Sequence, residues 1–320
     1  MRLIKPSFEI FEQGPGLQGI YEAIERAGRT CYKSQAKYQY RNPHTDEVYA
    51  PDFVGTWKVD DDRIGVTTTA EDFYRKEGIF IKESSTAKGF VDRMITSQHY
   101  AMLEHGTVYL FIPWNKWYDK DANFRYFYNK YSVHHRVENV GVYITTNYRV
   151  IVENDWLEDL KFLCEPTEFH ERRITVRFTT DRGVSHEFVR HRVFSFAQES
   201  TRYCNYSKDK FGGELTFIEP SWDMTLKPSD YGEDRSLPFL LSNIEIEYNH
   251  LINDCGWKPQ QARMILPNCI KTELVMTGFT SDWNHFFDLR ARGTTGAPHP
   301  DAKALAEPLM GEFYKRGYIK

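Results

Sequence analysis

Between Val189 and Ser207 the chain reads VRHRVFSFAQESTRYCNYS, setting Arg190, His191 and Arg192 side by side and following them with Ser195, Gln198, Glu199, Ser200, Thr201 and Arg202. Guanidinium groups beside short hydroxyl and amide donors suit an anion such as a phosphate. An arginine fork grips two oxygens at once, and the smaller donors fill the remaining lone pairs. The formal net charge of the whole chain is −4, so such a site draws on local charge and not on a global field. Just upstream, DRGVSHEF offers Asp181 as the cap of a helix that follows the strand RRITVRFTT. If that helix persists, Glu187, Arg190 and His191 stand at i, i+3 and i+4 on one face. The same spacing also fits a solvated face carrying a Glu-Arg pair worth roughly 0.3 kcal/mol.

Three further residues carry candidate chemistry. Trp283, Phe286, Phe287 and Arg290 fall at i, i+3, i+4 and i+7, so Arg290 completes an otherwise apolar face. A guanidinium buried there needs an acceptor, unless it snorkels to water at the helix end. Arg263, in KPQQARMILP, reads by itself as a surface residue. Cys204 lies beside the arginines and is open to two readings: a thiolate nucleophile with a lowered pKa, or a small packed side chain.

RHRVFSFAQESTR resembles the signature of the flavin-dependent thymidylate synthases: Arg-His-Arg, two residues, Ser, four residues, Ser, one residue, Arg. HYAMLEH is similar to another of the family's elements, keeping His99, Glu104 and His105 but placing Ala101 where Thr is usual. GRTCY resembles an early segment with Cys31 in a Ser position, ARMILP matches the element carrying Arg263, and DWNHFFDLR the one carrying His285 and Arg290. Two departures stand out. Phe279 and Ser281 occupy the places of an Asn-x-Arg that contacts the flavin, while Asn147 and Arg149, in TTNYR, offer equivalent groups from elsewhere. Glu187 stands where Gln is frequent and Gln198 where Glu is.

The resemblance implies reductive methylation of dUMP to dTMP, with methylenetetrahydrofolate as carbon donor, FAD as redox carrier and NADPH as reductant. It assigns Arg290 as the catalytic residue, and His99, Glu104, Arg190, His191, Arg192, Gln198 and His285 to FAD. To dUMP it assigns Glu187, Arg190, Gln198, Glu199, Ser200, Thr201, Arg202, Arg263 and Arg290. It also implies no cysteine nucleophile, no metal, and a homotetramer with sites shared between subunits. The expected architecture is α+β: one elaborated domain over residues 1–320, a mixed sheet with flanking helices, and insertions at about 34–88 and 113–171.

The elements that must position these residues are legible in part. Apolar periodicity predicts helices over 17–33, over 86–105, over 236–257 and in the tail after Pro300, with shorter ones over 155–163 and near 281–290. GTVYLFIP, VGVYITTNYRVIV, RRITVRFTT, GELTFIEP and KTELVMTGF read as strands, whereas Ser34 to Gly78 lacks sustained periodicity.

Composition narrows the rivals. Charged residues make up 27% and aromatics 15% of the chain, a globular balance. The aromatic and basic run WNKWYDKDANFRYFYNKYSVHHR could face single-stranded nucleic acid, but the acidic balance opposes it. A flavoprotein of the same fold with altered chemistry is the other alternative. His134 and His135 are adjacent, so in a strand they point to opposite faces and make a poor metal pair. Five cysteines without a CxxC pair, no signal-like hydrophobic start and no bilayer-length apolar run suggest a reduced, cytoplasmic, soluble protein.

Overall fold

The computed structural model describes residues 1–34, 38–41, 48–49, 81–114, 125–208, 211–222 and 236–320. Twelve strands are defined within them: β1 (Arg2–Ile4), β2 (Ser7–Phe11), β3 (Tyr38–Arg41), β4 (Val48–Tyr49), β5 (Ile81–Ser85), β6 (Thr107–Pro113), β7 (Val133–Val137), β8 (Gly141–Asn147), β9 (Arg173–Asp181), β10 (Ser195–Gln198), β11 (Thr216–Ile218) and β12 (Lys271–Phe279). The site is built on the sheet β10-β12-β9-β2, antiparallel throughout, in which Lys271 pairs with Asp181 and Gln198 with Leu274. The sheets β6-β8-β7 and β4-β3-β5 are also antiparallel, and parallel pairing occurs between β1 and β11. Helices and sheets are therefore mixed as expected, with the two strand directions in separate sheets.

Strand alternation sends Ile174, Val176, Phe178, Leu274 and Met276 to one face of the central sheet. There they meet Trp283, Phe286 and Phe287 of helix Thr280–Phe287 and Leu305, Leu309 and Phe313 of helix Pro300–Lys315. On the other face Val275 and Ala197 pack against Ala27 of helix Gly16–Tyr32, which by its Ile20 and Ile24 also lies on the β6-β8-β7 sheet. A third cluster joins Phe217 to Leu241 and Tyr248 of helix Leu237–Asn253. Gly278 admits the motif to the sheet, because a Cβ there would sit 2.5 Å from the ring of Phe194.

Several elements differ from the sequence expectation. The 86–105 helix is broken: α-helix spans Ala87–Thr96, Gln98 turns with φ 57°, and a 3₁₀ helix covers Tyr100–His105. VGVYITTNYRVIV is a strand only to Asn147, whose side chain accepts the Val150 N–H at 3.1 Å and caps helix Tyr148–Glu153. The 155–163 segment is 3₁₀ over Leu157–Phe162. Most of the Ser34 to Gly78 stretch lies outside the described residues. The run after Trp114 is described from Arg125 onward; His134 there packs on Phe127 and His135 on Phe169. Among the described residues no helix is long and apolar enough to cross a membrane, and no group of three or more His, Cys, Asp or Glu is placed to hold a metal ion.

Candidate active site

Asp181 caps the helix Arg182–Phe188 as its position predicts, Oδ1 accepting from Val184 N at 2.8 Å. The helix does not continue through the motif. It ends at Phe188, and single turns follow, His191 N donating to Phe188 O at 3.1 Å and Phe194 N to His191 O at 3.1 Å. The chain must reverse here so that Ser195–Gln198 can pair with β12. Glu187, Arg190 and His191 consequently do not share a face: His191 is buried, whereas Arg190 and Arg192 are exposed.

Arg290 supplies what joins two of them. Helix Thr280–Phe287 is clamped by Trp283, whose Nε1 donates to Ile174 O at 3.1 Å. It then widens into one turn of π-helix, Asp288–Arg292, closed by Gly293 at φ 70°. The Arg290 guanidinium donates Nη1 to the Glu187 carboxylate, Nη2 to Glu187 O at 3.0 Å and Nε to His191 Nε2 at 3.1 Å. A guanidinium N–H can only donate, so His191 Nε2 is the acceptor and its proton sits on Nδ1. Burial, with Arg290 and His285 nearby, lowers the His191 pKa to about 4, which keeps the ring neutral. The His285 ring centre lies 6.2 Å from that of His191. Arg290 therefore does not escape to water, yet its side chain keeps 16% exposure at the edge of the cluster.

A second cationic centre lies beyond Ser195. Arg149 Nη1 donates to Glu104 Oε1 at 2.6 Å. Arg173 donates to Glu104 O at 2.9 Å and to Ser195 Oγ at 3.4 Å, and stands 5.5 Å over the Phe279 ring. The Arg173 Nε is buried without a hydrogen-bond partner. Ser281 is occupied by the helix start, its N–H donating to Glu171 Oε1 at 3.0 Å. His99 is exposed at the entry to the 3₁₀ helix. Sequence spacing points to Arg149 but misses Arg173, whose only signal is a charge at the head of an alternating strand.

The loop after β10 divides its side chains. Gln198 Nε2 donates to Ser185 Oγ at 2.8 Å and Thr272 Oγ1 at 3.3 Å. Glu199 and Thr201 are buried. Arg202 is exposed, its Nε donating to Gln260 Oε1 at 3.3 Å, three residues before the exposed Arg263. Cys204 is fully buried, and burial, with Glu199 adding, pushes its thiol up to about 11. The neighbouring arginines do not lower it as the nucleophile reading requires.

Most of these residues, His99 and Glu104 apart, sit within a recognisable sequence. The model of the family described as "Thymidylate synthase complementing protein" matches residues 144–316, more than half of the chain. The chain belongs to that family. Among its relatives, a protein named flavin-dependent thymidylate synthase from Pyrococcus furiosus is 29% identical over 184 residues, 56% of this chain and 71% of that one. One of the same name from Corynebacterium aurimucosum is 36% identical over 118 residues, so that the chain spans about half of it, 46%, and 34% of this chain is matched. A solved UMP/dUMP methylase PolB from Streptomyces cacaoi covers 98% of this chain and 92% of its own at 13% identity with a TM-score of 0.40. Membership of the thymidylate synthase complementing family rests on the sequence match and not on that superposition.

Proposed function

We propose that this chain converts dUMP to dTMP by reductive methylation, with methylenetetrahydrofolate as carbon donor, FAD as redox carrier and NADPH as reductant. The observation that carries the reading is the Arg290 guanidinium fixed between Glu187 and a neutral His191, within a chain of this family. The relatives are named as flavin-dependent.

The donor set fits an anionic dinucleotide. Arg190 and Arg192 are exposed beside the buried cluster, Glu104 is charge-matched by Arg149, and Arg173 keeps an unpartnered N–H. In this reading Arg190, His191, Arg192, His99, Glu104, Gln198 and His285 hold FAD, with Arg173 and Arg149 supplying the polar groups that Phe279 and Ser281 do not offer it. Bound FAD supplies the reducing equivalents that turn the one-carbon unit into a methyl group.

Arg290 acts on the pyrimidine. A permanently charged, pre-oriented donor stabilises negative charge spread over the uracil carbonyls and an ionised N3, and costs little reorganisation because its other N–H groups are already held. The neutral state of His191 serves this, since an imidazolium could not accept from Arg290 and would repel it. Ser200, Thr201, Arg202 and Arg263 receive the nucleotide and its phosphate, Arg202 as the bidentate group. Cys204, sealed and protonated at neutral pH, takes no part.

The test is to purify the protein, record flavin absorbance with added FAD, and assay dTMP from dUMP, methylenetetrahydrofolate and NADPH. Protein that binds FAD and makes dTMP supports the reading; one that does neither overturns it. The same reading carries a homotetramer, which light scattering of the FAD-loaded protein checks.

A further inference from the structure

The loop read as the nucleotide site starts at a residue whose carboxylate is sealed inside the protein. The Glu199 side chain is 0% exposed; it accepts from Lys271 Nζ at 2.9 Å and from Tyr206 OH at 2.8 Å, and it faces Lys33 Nζ at 3.3 Å. Lys271, 7% exposed, also donates to Glu273 Oε1 at 2.7 Å. Glu273 in turn faces Arg177 at 3.9 Å, and Arg177 pairs with Glu9 at 2.5 Å. Six charges thus alternate in sign, Glu9, Arg177, Glu273, Lys271, Glu199, Lys33, from β2 through β9, β12 and β10 to the end of helix Gly16–Tyr32. Three acids and three bases sum to zero.

The main chain converges on the same point. Glu199 N donates to Glu273 O at 2.8 Å, and Ser200 N to Cys31 O at 3.1 Å. Isolating a buried carboxylate is costly, so a shift of Glu199 away from its cations would be resisted far more than a slip of an apolar side chain. Burial would raise the Glu273 pKa, but Lys271 and Arg177 hold it at about 2, so that carboxylate stays ionised beside Lys271. Lys271 is the hub of the array, touching the carboxylates of both Glu199, at 2.9 Å, and Glu273, at 2.7 Å.

We propose that Lys271 is a positioning residue: acting through the Glu199 carboxylate, it fixes Ser200, Thr201 and Arg202 in the geometry that receives the nucleotide's phosphate. This rests on the reading of that loop as the dUMP site. A misplacement of about 1 Å in such a loop is enough to weaken binding severalfold or more.

The experiment compares Lys271→Met, Lys271→Arg and Tyr206→Phe with the unaltered FAD-loaded protein, measuring dUMP binding by calorimetry, FAD binding by fluorescence, and hydrogen exchange at the amides of Thr201 and Arg202. Lys271→Met leaves Glu199 with Lys33 and Tyr206. The dissociation constant for dUMP is expected to rise about tenfold, FAD affinity to stay within about twofold, and exchange at the two amides to quicken. Lys271→Arg, which keeps the charge, is expected to recover most of the affinity. Should Lys271→Met fail to fold, Tyr206→Phe removes a donor from the same carboxylate without isolating a charge, and a smaller loss in the same direction is expected. Unchanged dUMP affinity and exchange, or a parallel loss of FAD binding, overturns the proposal. If the unaltered protein itself binds no dUMP, the functional reading fails, and the exchange rates alone then decide whether Lys271 orders the loop.

Discussion

Arg290→Lys isolates geometry from charge. Arginine makes three contacts at once, to the Glu187 carboxylate, to Glu187 O and to His191 Nε2. A lysine ammonium on a shorter reach can keep the carboxylate but not all three. Removing two hydrogen bonds costs about 1 kcal/mol each, and 2 kcal/mol in a barrier corresponds to roughly a thirtyfold slower step. On the proposed reading these bonds orient a group that acts on the uracil ring, so the loss belongs in kcat more than in the KM for dUMP. The assay is steady-state dTMP formation with dUMP varied, alongside a thermal melt to establish folding. A variant within threefold of the unaltered enzyme in both constants, and equally stable, would refute the argument that Arg290 works as a pre-oriented donor and leave it a simple charge.

Three other outcomes follow from the geometry. Cys204→Ala should retain turnover within about twofold at a cost near 1 kcal/mol for the small cavity; abolished turnover with FAD and dUMP still bound would overturn the cysteine-free mechanism. Arg149→Ala should change stability by less than about 1 kcal/mol, because the pair with Glu104 is part-exposed, while lowering FAD affinity, read by flavin fluorescence; unchanged affinity removes Arg149 from the pocket. For pH, burial lowers His105 to about 3 and His191 to about 4 from 6.5. The unfolded chain therefore takes up these protons first as pH falls below 6.5, and stability present above that pH is lost. Urea unfolding should show about 2–3 kcal/mol less stability at pH 5.5 than at pH 7.5 from these two rings; equal values would show that they are not held neutral.

The chemistry is more legible in the sequence than the geometry is. Asp181, the tail helix and the strands over 173–181 and 271–279 follow from capping and periodicity, which are local. The break after Phe188 does not, because EFVRH keeps helical spacing and only the pairing of Ser195–Gln198 with β12 forces the turn. Asn147 reads in sequence as a group free to meet a ligand, but its carbonyl is spent on a helix cap. Lys271, at the head of its strand, carries no signal in the sequence, and Glu199 converges on it beside Glu273 only in three dimensions. Long-range pairing of this kind leaves no spacing in one segment.

The π turn at Asp288–Arg292 works as a phase shifter. Continued at α pitch, the helix would keep Arg290 in line with Trp283, Phe286 and Phe287, all fully buried in the core. The wider turn spends extra backbone on rotating the guanidinium off that aromatic seam and onto Glu187 and His191, so core packing and the Arg290 cluster share one helix without sharing one side. The length of the segment thus matters as much as its composition: deleting a single residue between Phe287 and Arg290 would swing the guanidinium by roughly 100° about the helix axis and take it off Glu187 and His191, a heavier injury than most substitutions there could inflict.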